Sequence, residues 1–289
     1  MANNREIEIA RAFHEMTSHS YTSVRSGAHP LDWANRPLPY KIYPGAGSLA
    51  LPRDLNLSAA LALSVIGDRA GNEAAIDLET ITRLLFCAGG LTRRVRVGAE
   101  DYHFRAAASA GALYPVETYL AAGEVEGLER GLYHFSPADL KLSGMRRGDW
   151  REYLAQAAAG RRSIRDARIV FAMTAIFWRS AWKYRDRAYR YCFWDAGTML
   201  ANLIAAANAD GIGVEVITAF EDSRIESLLG VDGDREGAIC LVALGDGAPA
   251  RPSPEASALE LESIPLSPQE HPYDHLTKMH RAARLTSLA

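Results

Sequence analysis

Lys183 and Tyr184 lie in a run that alternates cations with aromatic rings. Lys183, Arg185, Arg187 and Arg190 are interleaved with Trp182, Tyr184, Tyr189 and Tyr191. Ammonium, guanidinium and phenol groups therefore enter the structure together, and chemistry is expected at this junction. A second stretch, Arg105-Ala-Ala-Ala-Ser-Ala-Gly-Ala-Leu-Tyr114, is a small-residue loop with a cation at its start. Ser109 and Gly111 let backbone amides come close to a ligand, so the loop could hold a flat anionic cofactor through amide donors and a hydroxyl. On composition alone, a tight turn into a strand is the simpler reading. His271-Pro-Tyr-Asp-His275 has the residue types of a metal site. Pro272 works against regular helical spacing and no third ligand is evident, so a solvated tail and no metal are expected. His103 and His134 read as strand-edge histidines, and Asp195 as the acid of an Asp–Arg pair or a cofactor contact.

These groups need a frame. Cys192, Phe193, Ala196, Met199, Leu200, Leu203, Ile204 and Ala207 recur at three- and four-residue spacing, which predicts a core helix stopping at Gly211. Just upstream, residues 167–176 form a continuous apolar run of strand length, expected to be a central strand covered on both faces that delivers the chain to Lys183. Strands are expected at 118–125, 131–135, 141–143, 214–219 and 238–244, with a helix at 150–159 and another at 222–229 capped near Asp222. Helices are expected at 5–16, 57–66 and 78–88, the last ending at Gly89-Gly90, before a loop through Arg93, Arg94 and Arg96. Pro37, Pro39 and Pro44 impose extended backbone on an arm laid over the core. Several strand pairs are too closely spaced for helical crossovers, so the expected fold is α+β, a mixed sheet flanked by helices. The expected organisation is an N-terminal arm over 1–50, one domain over 51–248 and a C-terminal extension over 249–289.

With 289 residues, 48% of them hydrophobic, the chain can bury a substantial core. A net charge of -3 gives no bulk attraction to nucleic acid or an anionic membrane. Cys87, Cys192 and Cys240 lie in apolar runs without a CxxC pair, as suits reduced, buried thiols. With no signal-like start and no apolar run of spanning length, a cytoplasmic protein is expected.

Ser109-Ala-Gly-Ala-Leu-Tyr-Pro-Val-Glu117, with Arg105 upstream, closely resembles the SAGALYPxE signature of the SagB/ThcOx-type dehydrogenases, a branch of the FMN-dependent nitroreductase superfamily. Four further stretches resemble the same family in the same order: Thr17–Ser20 with Pro30–Asn35, Arg83–Arg93, Trp182–Arg190 with Asp195-Ala-Gly, and Ile225–Asp232. The resemblance implies a nitroreductase-like fold and FMN at a subunit interface, in a homodimer or a heteromer with a second such unit. It also implies oxidation of azoline rings to azoles in a ribosomally made peptide, beside a cyclodehydratase. It assigns catalysis to Lys183 and Tyr184. It places the cofactor against Arg93, Arg94, Arg105, Ser109, Ala110, Gly111, Leu113, Gly211, Gly213 and Arg281.

Aromatising an azoline removes a proton from carbon and a hydride, so a base is needed near the flavin edge. Lysine and tyrosine both titrate near pH 10. A helix N-terminus, desolvation of the ammonium and neighbouring arginines would each lower a pKa, so either residue is a candidate base. Successive side chains of a regular helix point about 100° apart, so both can face one substrate only where the backbone is not regular helix. One motif departs from the family. The Arg-Ser-x-Arg grip on the FMN phosphate is reduced to the single Arg69 in Ser64–Arg69; Arg93, Arg94, Arg96, Lys278, His280, Arg281 or Arg284 could replace it. Two other readings follow: a nicotinamide-dependent nitro or quinone reductase, and a flavin-free scaffold or peptide-binding subunit.

Overall fold

The computed structural model describes residues 6–26, 29–67, 74–98, 100–259 and 261–287. Arg69 lies outside them. In chain order the elements are α1 (Ile7–Thr17), α2 (Tyr21–Ser26), β1 (Ser48–Ala50), α3 (Ala62–Val65), α4 (Leu78–Gly89), β2 (Leu91–Val97), β3 (Glu100–Arg105), β4 (Val116–Ala122), β5 (Gly131–Ser136) and β6 (Lys141–Arg147). They continue as α5 (Arg151–Ala157), α6 (Arg162–Arg165), β7 (Ala167–Ile176), α7 (Phe177–Tyr184), α8 (Ala188–Ala209), β8 (Val214–Ile217), α9 (Asp222–Leu229), β9 (Glu236–Asp246) and α10 (Asp274–Ala283).

The main sheet runs β1-β6-β5-β4-β7-β9-β8. Its mixture lies in the connections: hairpins join β4, β5 and β6, helices join β7 to β8 and β8 to β9, and every ladder is antiparallel. β7 lies inside the sheet between β4 and β9, as its largely apolar run requires. Ile169, Phe171, Met173 and Ala175 enter the core shared with α4, α7 and α8, whereas Val170 and Ala172 enter the core shared with α5, α6 and α9. Two helical layers thus cover the sheet. The side chain of β7 that would otherwise break the pattern, Thr174, is fully buried and donates to Glu236 at 2.6 Å.

The core helix forms as expected, but of the face read from its spacing Phe193 is exposed and Leu200 and Ile204 are only half-buried. Cys192, Ala196, Met199, Leu203 and Ala207 of α8 are buried, and Gly211 follows the helix with φ +69°. α4 ends where expected, with Gly90 N–H donating to Phe86 O at 2.8 Å. Other expectations are corrected. Of residues 57–66 only Ala62–Val65 is helical, and Leu57, Leu61, Leu63 and Ile66 are exposed, so no buried stripe supports a longer helix. The arginine-rich loop is the hairpin β2–β3, with Arg93, Arg94 and Arg96 on its first strand. Asp222 does not cap α9; Glu221 stands at the cap, and Asp222 accepts from Leu285 N–H at 2.6 Å. His275 belongs to α10, whose Leu276 and His280 are buried, so the end of the chain is not a solvated tail. Among the described residues no cluster of three or more His, Cys, Asp or Glu could hold a metal. No described helix is long and apolar enough to cross a membrane.

The arm is tied down by charge. Lys41 donates to Glu236 at 2.5 Å and to Tyr119 Oη at 2.9 Å, and Tyr119 donates to the other oxygen of Glu236 at 2.9 Å. Burial disfavours the Lys41 ammonium, yet Glu236 holds its pKa above the ordinary value. The arm's last residues, Ser48–Ala50, pair with β6 as an edge strand.

Candidate active site

The small-residue turn is fixed to α8 by one carboxylate. Ser109 Oγ donates to Asp195 Oδ2 at 2.5 Å, and Ala110 N–H donates to Asp195 Oδ1 at 3.1 Å. Asp195 has no arginine partner among the described residues; burial raises its pKa and these two donors oppose the rise. Tyr114 N–H closes the turn on Ser109 Oγ at 2.8 Å, and Thr198 Oγ1 of α8 donates to Ala108 O at 2.7 Å. Between these anchors Gly111, Ala112 and Tyr114 all take positive φ, +65°, +54° and +49°. Glycine is at ease there, whereas alanine and tyrosine carry strain that the anchors offset.

Lys183 and Tyr184 meet this turn at Gly111. A Cβ on Gly111 would lie 2.7 Å from Tyr184 Oη and 3.1 Å from Lys183 Nζ. Both side chains reach one place because regular helix stops there: Tyr184 is the last residue of α7 and Arg185 has φ +49°. The pair therefore stands at a helix C-terminus, not at the N-terminus expected from sequence. Tyr184's pKa is raised by burial and by Tyr191 and Asp195, opposite to the expected lowering. The arginines that were to lower it are engaged elsewhere: Arg187 donates to Thr17 O and Tyr191 Oη, and Arg190 to Thr17 Oγ1 and His14 O. Lys183 has no carboxylate partner among the described residues. A cleft of about 230 Å³ opens on the other side of Gly111, lined by the arm at Arg36–Pro39 and by Tyr102 and His103 of β3.

The other sequence-expected contacts are dispersed. Arg105 is buried between the rings of Tyr40 and Tyr114 and donates to Pro39 O at 2.6 Å, which locks the arm to the turn. Leu113 is buried in the core. Arg94 pairs with Asp101 at 2.6 Å and Arg281 with Asp234 at 2.6 Å, both exposed, while Arg93 has no acid partner among the described residues. Gly211 ends α8, and Gly213 O accepts from Gly245 N–H at 2.9 Å. For a flavin, the ring half fits this site, since Gly111 is exposed, bears no side chain and lies against Lys183 and Tyr184. The cations expected at the phosphate do not converge.

Sequence reasoning missed the buried polar groups behind the turn. Glu117 accepts from Arg179 at 2.6 Å and bonds His134 Nε2 at 2.7 Å, all three nearly inaccessible; His134 is thus an interior residue, not an edge one. The signal was present in the sequence: Glu117 ends the signature in an otherwise apolar strand, and Arg179 is a cation between buried aromatic residues.

The fold, an antiparallel sheet covered by two helical layers, agrees with a family model described as the nitroreductase family, which matches residues 69–246. The chain belongs to the nitroreductase family. Among its relatives is the trifolitoxin-processing protein TfxB of Rhizobium leguminosarum bv. trifolii, 31% identical over 185 residues, 62% of this chain and 49% of that one. Another is the microcin B17-processing protein McbC of Escherichia coli, 28% identical over 130 residues, 43% of this chain and 47% of that one. A crystal structure from Anabaena variabilis, of a protein classed with the nitroreductases, superposes with a TM-score of 0.74 at 28% identity, covering 97% of this chain and 55% of that one. The chain thus spans about half the length of each of these three proteins.

Proposed function

We propose that this chain is an FMN-dependent dehydrogenase that converts azoline rings of a ribosomally made peptide to azoles. The observation that carries the reading is the convergence of Lys183 Nζ and Tyr184 Oη on Gly111 within the Ser109–Glu117 signature. The names of TfxB and McbC, both peptide-processing proteins, support a peptide substrate.

FMN, when bound, supplies the hydride-accepting chemistry, and dioxygen reoxidises it. The turn at Gly111 would support the flavin ring, and Arg93 of β2, without an acid partner among the described residues, would offer the phosphate a cation. The ring substrate loses a proton from carbon as well as the hydride. Lys183, as the neutral amine, is assigned to receive that proton and becomes the ammonium. Tyr184, whose phenol is a donor at neutral pH and whose pKa burial moves further up from its ordinary value, is assigned to donate a hydrogen bond that orients the ring. The arm at Arg36–Pro39 shields one side of the cleft from water.

A second nitroreductase-like unit is proposed to cover the exposed apolar side chains Phe193 and Trp194 of α8 and Leu61, Leu63 and Ile66 near α3. A cyclodehydratase would supply the azolines. The scattered phosphate-side cations favour one other reading, a flavin-free peptide-binding subunit. The visible spectrum of the purified protein with added FMN separates them: a bound flavin chromophore supports the dehydrogenase, and a colourless protein that binds precursor peptide supports the scaffold.

A further inference from the structure

We propose that Arg179 is a positioning residue, anchored by Glu117, that sets Lys183 and Tyr184 against the Gly111 turn. The inference rests on the catalytic assignment above, but its geometry is independent of any cofactor. Arg179 lies one helical turn before Lys183 on α7, so the two share a face. It is 1% exposed. Its Nη1 donates to Glu117 Oε1 at 2.6 Å and to Tyr114 O at 2.8 Å. Tyr114 closes the turn that holds Gly111, and Glu117 is fixed in β4 by His134 of β5. One guanidinium nitrogen therefore joins the helix carrying the catalytic pair, the end of the turn and the sheet.

An ion pair is a poor choice at this depth if stability alone is at stake, because an apolar pair of similar volume is commonly as stable. What the pair adds is direction. Nη1 alone holds both acceptors, while Nε and Nη2 are buried without a hydrogen-bond partner among the described residues; its two bonds fix the helix against the turn and the sheet, whereas apolar packing tolerates sliding. Burial opposes the charged form of Glu117, but Arg179, His134 and Arg105 outweigh it and hold the carboxyl at about 2, so the anchor stays ionised at any working pH. The strained φ of Tyr114 points the same way: its carbonyl is held by Arg179 in a backbone conformation that tyrosine seldom adopts.

Arg179→Met alone leaves the buried Glu117 with His134 as its remaining hydrogen-bond partner and is expected to lose much stability. The informative protein is therefore the double variant Arg179→Met/Glu117→Leu, which removes the charge together with its partner. Two readouts apply. The first is turnover of an azoline peptide by the flavin-loaded protein, with kcat expected to fall about 100-fold while KM stays nearly unchanged. The second uses neither flavin nor peptide: the pH profile of Lys183 acylation by an amine-selective reagent, mapped by mass spectrometry with Lys141 and Lys278 as references. A shifted Lys183 profile with unshifted references supports positioning. An unchanged profile and unchanged kcat in a folded double variant overturn it. Where the double variant does not fold, Arg179→Lys keeps the charge and shortens the reach of the one nitrogen that makes both contacts, and it is read the same way. If wild-type protein oxidises no azoline, the functional reading fails while the acylation profile still decides the role of Arg179.

Discussion

Ser109 and Asp195, 86 residues apart, share a 2.5 Å hydrogen bond that fixes the small-residue turn to the core helix. The same carboxylate takes the Ala110 N–H, so one side chain satisfies two donors of a strained loop. Asp195→Ala leaves both unpaired, and the cost expected is about 1–3 kcal/mol of stability with a larger loss of activity. Urea denaturation monitored alongside turnover checks this. A variant as stable and as active as the wild type would remove Asp195 from the account.

Gly111→Ala places a methyl group 2.7 Å from Tyr184 Oη and 3.1 Å from Lys183 Nζ, in a backbone conformation with φ +65°. The strain of the left-handed conformation costs about 1–2 kcal/mol. Displacing the pair is expected to cost more in rate, about 100-fold in kcat, since a shift near 1 Å is enough. Steady-state kinetics with thermal melting separates the two effects.

What sequence could reveal here follows from how far each signal extends along the chain. The α8 helix and the β7 strand were legible because their apolar spacing is carried by adjacent residues, and the site's two halves because each is a compact motif. What joins the halves was not legible. Asp195 to Ser109, Arg179 to Glu117 and Lys41 to Glu236 are contacts between distant segments, and only packing selects each partner. The helix expected over 57–66 failed for the complementary reason. Its apolar spacing was real, but among the described residues only Val65 of that stretch is buried, and Leu57, Leu61, Leu63 and Ile66 stay exposed.

Lys41→Met tests whether the arm is held by charge. It leaves Glu236 buried with Tyr119 and Thr174 as its remaining donors, and breaking such a pair costs about 3–5 kcal/mol. Limited proteolysis is expected to cut the variant within residues 36–45 faster than the wild type. Equal resistance would mean that packing alone retains the arm.

Acid stability should pass through two windows. Burial lowers His280's pKa to about 4, so the folded state binds its proton less readily than the unfolded chain does. Its contribution is complete above the unfolded value near 6.5 and is lost as pH falls through about 4. Glu117, held at about 2, contributes above its unfolded value near 4.5 and loses that contribution as pH falls through about 2. Melting temperature against pH checks the sign. His280→Gln is expected to flatten the curve between about 6.5 and 4 and to leave the more acidic limb unchanged.

The most direct test of the central claim is an anaerobic single turnover. FMN-loaded protein is mixed with a precursor peptide bearing azoline rings; the flavin is followed by absorbance and the peptide by mass spectrometry. The account predicts bleaching of the flavin with loss of two hydrogens from one ring per flavin, and neither change in Lys183→Ala/Tyr184→Ala protein that still binds FMN. Flavin that bleaches with NADPH while the azoline peptide stays unchanged would contradict it and identify a nicotinamide-dependent reductase instead.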